Sequence, residues 1–144
     1  LICYTFQSIK SRGNDVDTEL TYLASSAGLC VLMWVPYVLA RLWTWGLVAT
    51  TGYPENPPAV PGWAQRLQRA HNNLVENLAP FAAVVLVAHV AEVSTSLTVL
   101  GATLFFYARL AHILFYTLAI PWVRTLSFAV SWAGTVLILV ALIV

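Results

Sequence analysis

Charge is what this sequence has least of. Only 9% of its 144 residues are Asp, Glu, Lys or Arg, against 60% hydrophobic residues and a mean hydropathy of +0.78. An ordinary soluble domain carries about 25% charged residues, so this scarcity excludes one and makes lipid the solvent for most of the chain. Lysine is scarcer still: beyond residue 19 every cation is an arginine, namely Arg41, Arg66, Arg69, Arg109 and Arg124. Arginine stays charged when desolvated and binds carboxylates through a two-pronged fork, which points to anion recognition. Arginines also anchor helix ends by snorkelling, and Arg41 fits either role. The net charge of +1 carries no signal for nucleic acid, and none is expected as a partner. Two cysteines, Cys3 and Cys30, cannot build a disulfide framework, and Cys30 sits in an apolar run where a thiol behaves as a small hydrophobe. A cationic segment leading directly into a short apolar core and cleavage site is also missing from residues 1–19, so they do not read as a signal peptide. They form a polar extension, expected to be poorly ordered and to precede the domain proper at 20–144.

Four apolar stretches follow. The first runs from about Leu20 to Trp43 with Pro36 inside it, long enough to cross a ~30 Å hydrocarbon core. Residues 53–62 contain four prolines and predict a loop outside the hydrocarbon. A second helix is expected from Trp63 to about Val90, polar in its first half and aliphatic from Phe81 onward, then a turn over Val93 to Ser96. The third is expected from Leu97 to Ile120, broken by Pro121, and the fourth from Val123 to Val144. The fold class is therefore all-α, an integral membrane four-helix bundle.

Arg41, Arg66, Arg69 and Arg124 lie near helix ends that meet on one side, with Trp43, Trp45, Trp63 and Trp122 at the same level. By the positive-inside rule that side is cytoplasmic and both termini face out. Lys10 and Arg12 argue the other way, offset by three neighbouring acids.

The second helix carries the most information. Arg69, Asn73, Glu76 and Pro80 stand at helical spacing and form one stripe, with Arg66 a turn earlier and Asn77 beside it. Such groups are costly against lipid and must face other helices or a water-filled cavity. Two readings stay open: an Arg69–Glu76 pair bridged by Asn73 that glues the bundle, or a ligand site. Val85 lies on the opposite helix face and is expected to matter little for binding. The third helix repeats the pattern with Arg109, His112 and Tyr116 on one face and Arg124 just past Pro121. This leaves three or four arginines facing few acids, an excess that asks for an external anion.

The run Arg69-Ala-His-Asn-Asn73-Leu-Val-Glu76-Asn77-Leu-Ala-Pro80-Phe81 resembles the signature of MAPEG proteins, the membrane-associated proteins in eicosanoid and glutathione metabolism. A second match is Arg109-Leu-Ala-His112-Ile-Leu-Phe-Tyr116, followed by Arg124 and Ser127-Phe128. The resemblance covers about residues 20–144, and the stretch from Trp34 to Arg41 looks like bacterial members. It implies a homotrimer in the lipid bilayer, here a bacterial inner membrane, with glutathione as co-substrate between subunits near the cytoplasmic face. Carried over by position, Arg69, Asn73, Glu76, Arg109 and Tyr116 would hold the peptide, with His112 on the same face, while Arg124 and Arg41 would lie near its sulfur. The activity implied is that of a glutathione transferase or peroxidase attacking an apolar small-molecule electrophile. Gln65, Gln68 and His112 depart from residues common in relatives, and transferase, peroxidase and isomerase chemistries all occur on this scaffold, so the particular reaction stays open.

Two rivals come from other classes. A haem or electron-transfer bundle would use His71, His89 and His112 and needs two histidines at one depth, yet His89 lies at the opposite end from the other two and His71 points away from the Arg69 stripe; no metal site is expected. A non-catalytic binding or scaffold protein of the same fold would keep the polar site without turnover.

Overall fold

The computed structural model describes residues 16–144. Of the polar segment expected over residues 1–19, the part before Val16 lies outside the described residues. The described chain is four helices in an up-down-up-down order: α1 (Thr18–Thr51), α2 (Gly62–Val90), α3 (Ser96–Thr117) and α4 (Pro121–Ile143). Each is long and apolar enough to cross a membrane, the shortest having 22 residues, or about 33 Å at 1.5 Å per residue. The protein is a multi-pass membrane protein.

Helix ends depart from the sequence expectation in three places, each for a local reason. α1 starts at Thr18 and continues past Trp43 to Thr51, through Pro36, and breaks its helical geometry only at Gly46 (φ 78°, ψ 169°), where a missing Cβ makes a positive φ inexpensive. α3 stops at Thr117, short of Ile120. Ala119 turns left-handed (φ 63°), so the Ile120 N–H donates to the Phe115 carbonyl at 2.9 Å and the Ala119 N–H to Tyr116 at 3.1 Å, a Schellman termination. Pro121 could not have extended α3, because it has no N–H and keeps the residue before it out of the helical region; it instead opens α4. The same termination ends α2, with Glu92 at φ 56° and the Val93 N–H on the Ala88 carbonyl at 2.9 Å.

Packing uses small residues and flat rings, as expected where lipid supplies no hydrophobic drive between helices. A Cβ added to Gly101 would lie 2.5 Å from the Gly134 carbonyl oxygen, so α3 and α4 meet backbone to backbone. Phe81 of α2 stacks flat on Phe105 of α3, centroids 3.7 Å apart, within a core that includes Val85, Ala88, Ala102 and Ile138. A second cluster of Met33, Leu67, Ala70 and Leu74 joins α1 to α2. At the end holding the 91–95 turn, Thr95 and Thr98 form a capping box for α3, and the buried Glu19 carboxylate accepts from the Ser94 and Thr98 hydroxyls. His89 pairs with Asp17 there at 2.8 Å, half exposed and of little energetic weight. Every described arginine belongs to the other half of the bundle, toward the 52–61 loop and the α3–α4 turn.

Candidate functional site

The centre of the arginine-bearing half is Arg109. It sits eight residues before the end of α3 and is 1% exposed, its guanidinium held between the rings of Phe105, one turn earlier, and Phe128 of α4, each 5.3 Å away. Nη1 donates to the side-chain Oδ1 of Asn73 on α2 at 2.7 Å. Nε and Nη2 have no hydrogen-bond partner among the described residues, and no carboxylate pairs with this charge. A buried guanidinium left with two free donors is costly unless something accepts from them.

His112, one turn beyond, is 4% exposed and fixed by its Nδ1–H, which donates to the Arg124 carbonyl at 3.0 Å. That bond leaves Nε2 of the neutral ring as an acceptor without a partner. The Arg124 guanidinium lies over the Tyr116 ring at 4.8 Å, and the ring of Tyr116 stands edge-on to His112 at 5.5 Å. Phe128 touches both groups, at 6.1 Å from His112 and beside Arg109, so α4 ties the two halves of the arrangement together. Beside it, an apolar recess of about 300 Å³ opens between α3 and α4, lined by Leu104, Tyr107, Phe115 and Leu126 among others and reaching Ser127.

Of the positions singled out in the sequence, the fold therefore gathers Asn73 with Arg109, and His112 with Tyr116 and Arg124. Arg69 and Glu76 go elsewhere. Both are exposed on the outside of the four-helix unit, while Ala70 and Leu74 between them turn inward. They form no ion pair with each other: among the described residues the one pair present is His89 with Asp17. The gluing of the bundle by an Arg69–Glu76 pair is thus not how the chain is held together. Arg41 is occupied within the chain, donating from Nη2 to the Gln68 side chain at 2.7 Å and resting between Tyr37 and Trp45 at 5.7 and 5.5 Å. Arg66 likewise donates from Nε to the Thr117 carbonyl at 2.8 Å, satisfying an end group of α3. The histidines are apart: His71 bonds Tyr37 and Cys30, His89 bonds Asp17, and His112 bonds the Arg124 carbonyl.

Sequence reasoning missed the Phe105–Arg109–Phe128 sandwich. Phe105 and Arg109 stand four apart and were legible as neighbours; Phe128 comes from another helix and was not. It also passed over His71 as pointing away from the Arg69 stripe, which it does, toward α1.

Neither the curated proteins nor the solved structures compared gave a match. A family model does: that of the MAPEG family covers residues 22–144, which takes in all of the bundle except the first turn of α1. With four membrane-spanning helices and this match over most of its length, the chain belongs to the MAPEG family.

Proposed function

We propose that the protein is a membrane-bound glutathione-dependent transferase or peroxidase that activates the glutathione thiol for attack on an apolar electrophile, working as a homotrimer with its sites between subunits. The observation that carries the reading is Arg109: a buried cation with two donor nitrogens unfilled and no acid beside it is suited to an anion from outside the chain. Glutathione fits that need, since its two carboxylates accept from guanidinium groups and its ammonium suits a carboxylate. On this reading Arg109, Asn73, Arg69, Glu76, His112 and Tyr116 bind and orient the peptide. Arg124 and Arg41 favour the ionised sulfur; of these two Arg124 has the freer guanidinium, because Arg41 already donates to Gln68.

The exposure of Arg69 and Glu76 supports the assembly. Seven and fourteen residues into α2, they lie about 10 and 21 Å along the helix axis, at the depth where a charge facing hydrocarbon is expensive. A neighbouring subunit and a zwitterionic ligand between the two would cover them. The side bearing the arginines is then cytoplasmic, in a bacterial inner membrane, with both termini outside. The recess beside Ser127 suits an apolar substrate arriving from lipid.

Native mass spectrometry in detergent tests the assembly and should show three copies. Titration calorimetry with glutathione on the same sample tests the site. A stable monomer that binds glutathione with full affinity overturns the interface placement. Tight binding without conjugation of any electrophile would make this a binding or scaffold relative.

A further inference from the structure

A second cluster of reactive groups lies between α1 and α2, made of residues not assigned to glutathione and meeting the arginine site only where Tyr37 lies against Arg41. The Cys30 sulfur is 3.5 Å from His71 Nε2, and His71 Nδ1 is 3.0 Å from the Tyr37 hydroxyl. We propose that Cys30 is a nucleophile, activated by His71 and positioned through Tyr37, that captures membrane-dissolved α,β-unsaturated carbonyl compounds as covalent adducts.

Three features carry this. The first is geometry, for a thiol within reach of an imidazole whose far nitrogen is held by a third group is the general pattern of an activated nucleophile. With its proton on Nδ1, the ring donates to the Tyr37 oxygen and accepts the thiol proton at Nε2. After transfer, the imidazolium donates to the thiolate and still to Tyr37, so no bond has to reorganise. The second feature is that Tyr37 is itself fixed, its ring lying 5.7 Å from the Arg41 guanidinium. The third is access. Cys30 is half-buried, twelve residues and about 18 Å into α1, and its chain neighbours Val31, Leu32 and Trp34 are 65%, 67% and 47% exposed on an apolar surface. An electrophile meeting Cys30 there would come from the hydrocarbon. A cysteine serving only as a small hydrophobe needs no imidazole beside it.

The step is a conjugate addition. Sulfur bonds to the β-carbon of the enal and the carbon–carbon π bond breaks; the thiol proton passes to His71 Nε2 and then to the α-carbon, returning His71 to neutrality. No oxidant or further reactant is needed.

The test uses the full chain carrying Cys3→Ser, reconstituted in phosphatidylcholine vesicles and exposed to trans-2-nonenal. Adducts are fixed by borohydride reduction and placed by peptide fragmentation. Modification should concentrate on Cys30, vanish in Cys30→Ser, and slow by at least about tenfold in His71→Gln, the low end of what a general base contributes. Tyr37→Phe should slow it by a smaller factor, and decides the matter if His71→Gln fails to fold. Glutathione affinity should be unchanged in Cys30→Ser. The proposal is overturned if Cys30 stays unmodified in vesicles while reacting readily in denaturing detergent, or if the base and tyrosine variants react at the wild-type rate.

Discussion

Replacing Arg109 by methionine separates a binding cation from a structural one. In the free protein the guanidinium gains a charge-assisted bond to Asn73, about 1.5–3 kcal/mol, and contacts with two rings at about 0.5–2 kcal/mol each. Against this stand two buried donors without partners, costing about 1–3 kcal/mol each. The terms nearly cancel. Methionine fills similar space and removes both sides of the balance, leaving only the Asn73 oxygen short of a donor. Arg109→Met should therefore change the stability of the ligand-free protein by no more than about 2 kcal/mol. Binding responds differently: if glutathione fills both empty donors, the loss is about 3–6 kcal/mol, or roughly 10²–10⁴-fold in Kd. Thermal unfolding in detergent, with and without glutathione, reads both quantities, since a ligand that binds only the folded state raises Tm. The wild type should gain Tm with glutathione and Arg109→Met should not. A variant that loses more than about 4 kcal/mol of stability without ligand, yet binds glutathione within threefold of wild type, would show Arg109 to be structural and refute the reasoning.

Glu76→Gln and Arg69→Ala should each weaken glutathione binding by about 1.5–3 kcal/mol, measured by calorimetry. The matched control is Val87→Ala, at a position 55% exposed, because Val85, which helical spacing puts opposite the stripe, is 1% exposed and its truncation costs core packing. Arg124→Ala should leave glutathione bound while the pKa of its thiol rises toward the free value by up to about 2 units, about 2.7 kcal/mol, read from thiolate absorbance against pH with the conjugation rate at neutral pH falling in step. A bound thiol that never ionises near neutral pH in the wild type would contradict this. Gly101→Ala should destabilise the bundle by about 1–3 kcal/mol in thermal unfolding, since its methyl carbon would lie 2.5 Å from the Gly134 oxygen and 2.7 Å from Ile138 Cγ1. Wild-type stability in that variant would mean that α3 and α4 are free to separate.

The sequence alone determined the solvent, the number of helices and their order, because hydropathy acts over whole segments: four runs of twenty or more apolar residues in lipid have little choice but to be helices that satisfy their own backbone. It also determined which end of the bundle holds the arginines, since strict alternation of helix direction follows from short connections. Helix ends were less legible. The apolar run of α1 ends near Trp43, yet the helix continues across the non-helical Gly46 to Thr51, and the left-handed residues ending α2 and α3 are Glu92 and Ala119, where no glycine marks the turn. Which polar groups meet was decided only in three dimensions. Helical spacing put Arg69, Asn73 and Glu76 on one stripe, and that was correct as periodicity. However, a stripe is wide enough for its edge to face inward while its centre faces out, so Asn73 reaches Arg109 and its two neighbours do not. The phenylalanine from α4 that closes over Arg109, and the contact of His71 with Cys30, join residues 19 and 41 positions apart in the chain. Periodicity within one helix has no means of recording the rotation of a helix against its neighbours, and that rotation is set by packing such as the Gly101–Gly134 approach and the Phe81–Phe105 stack.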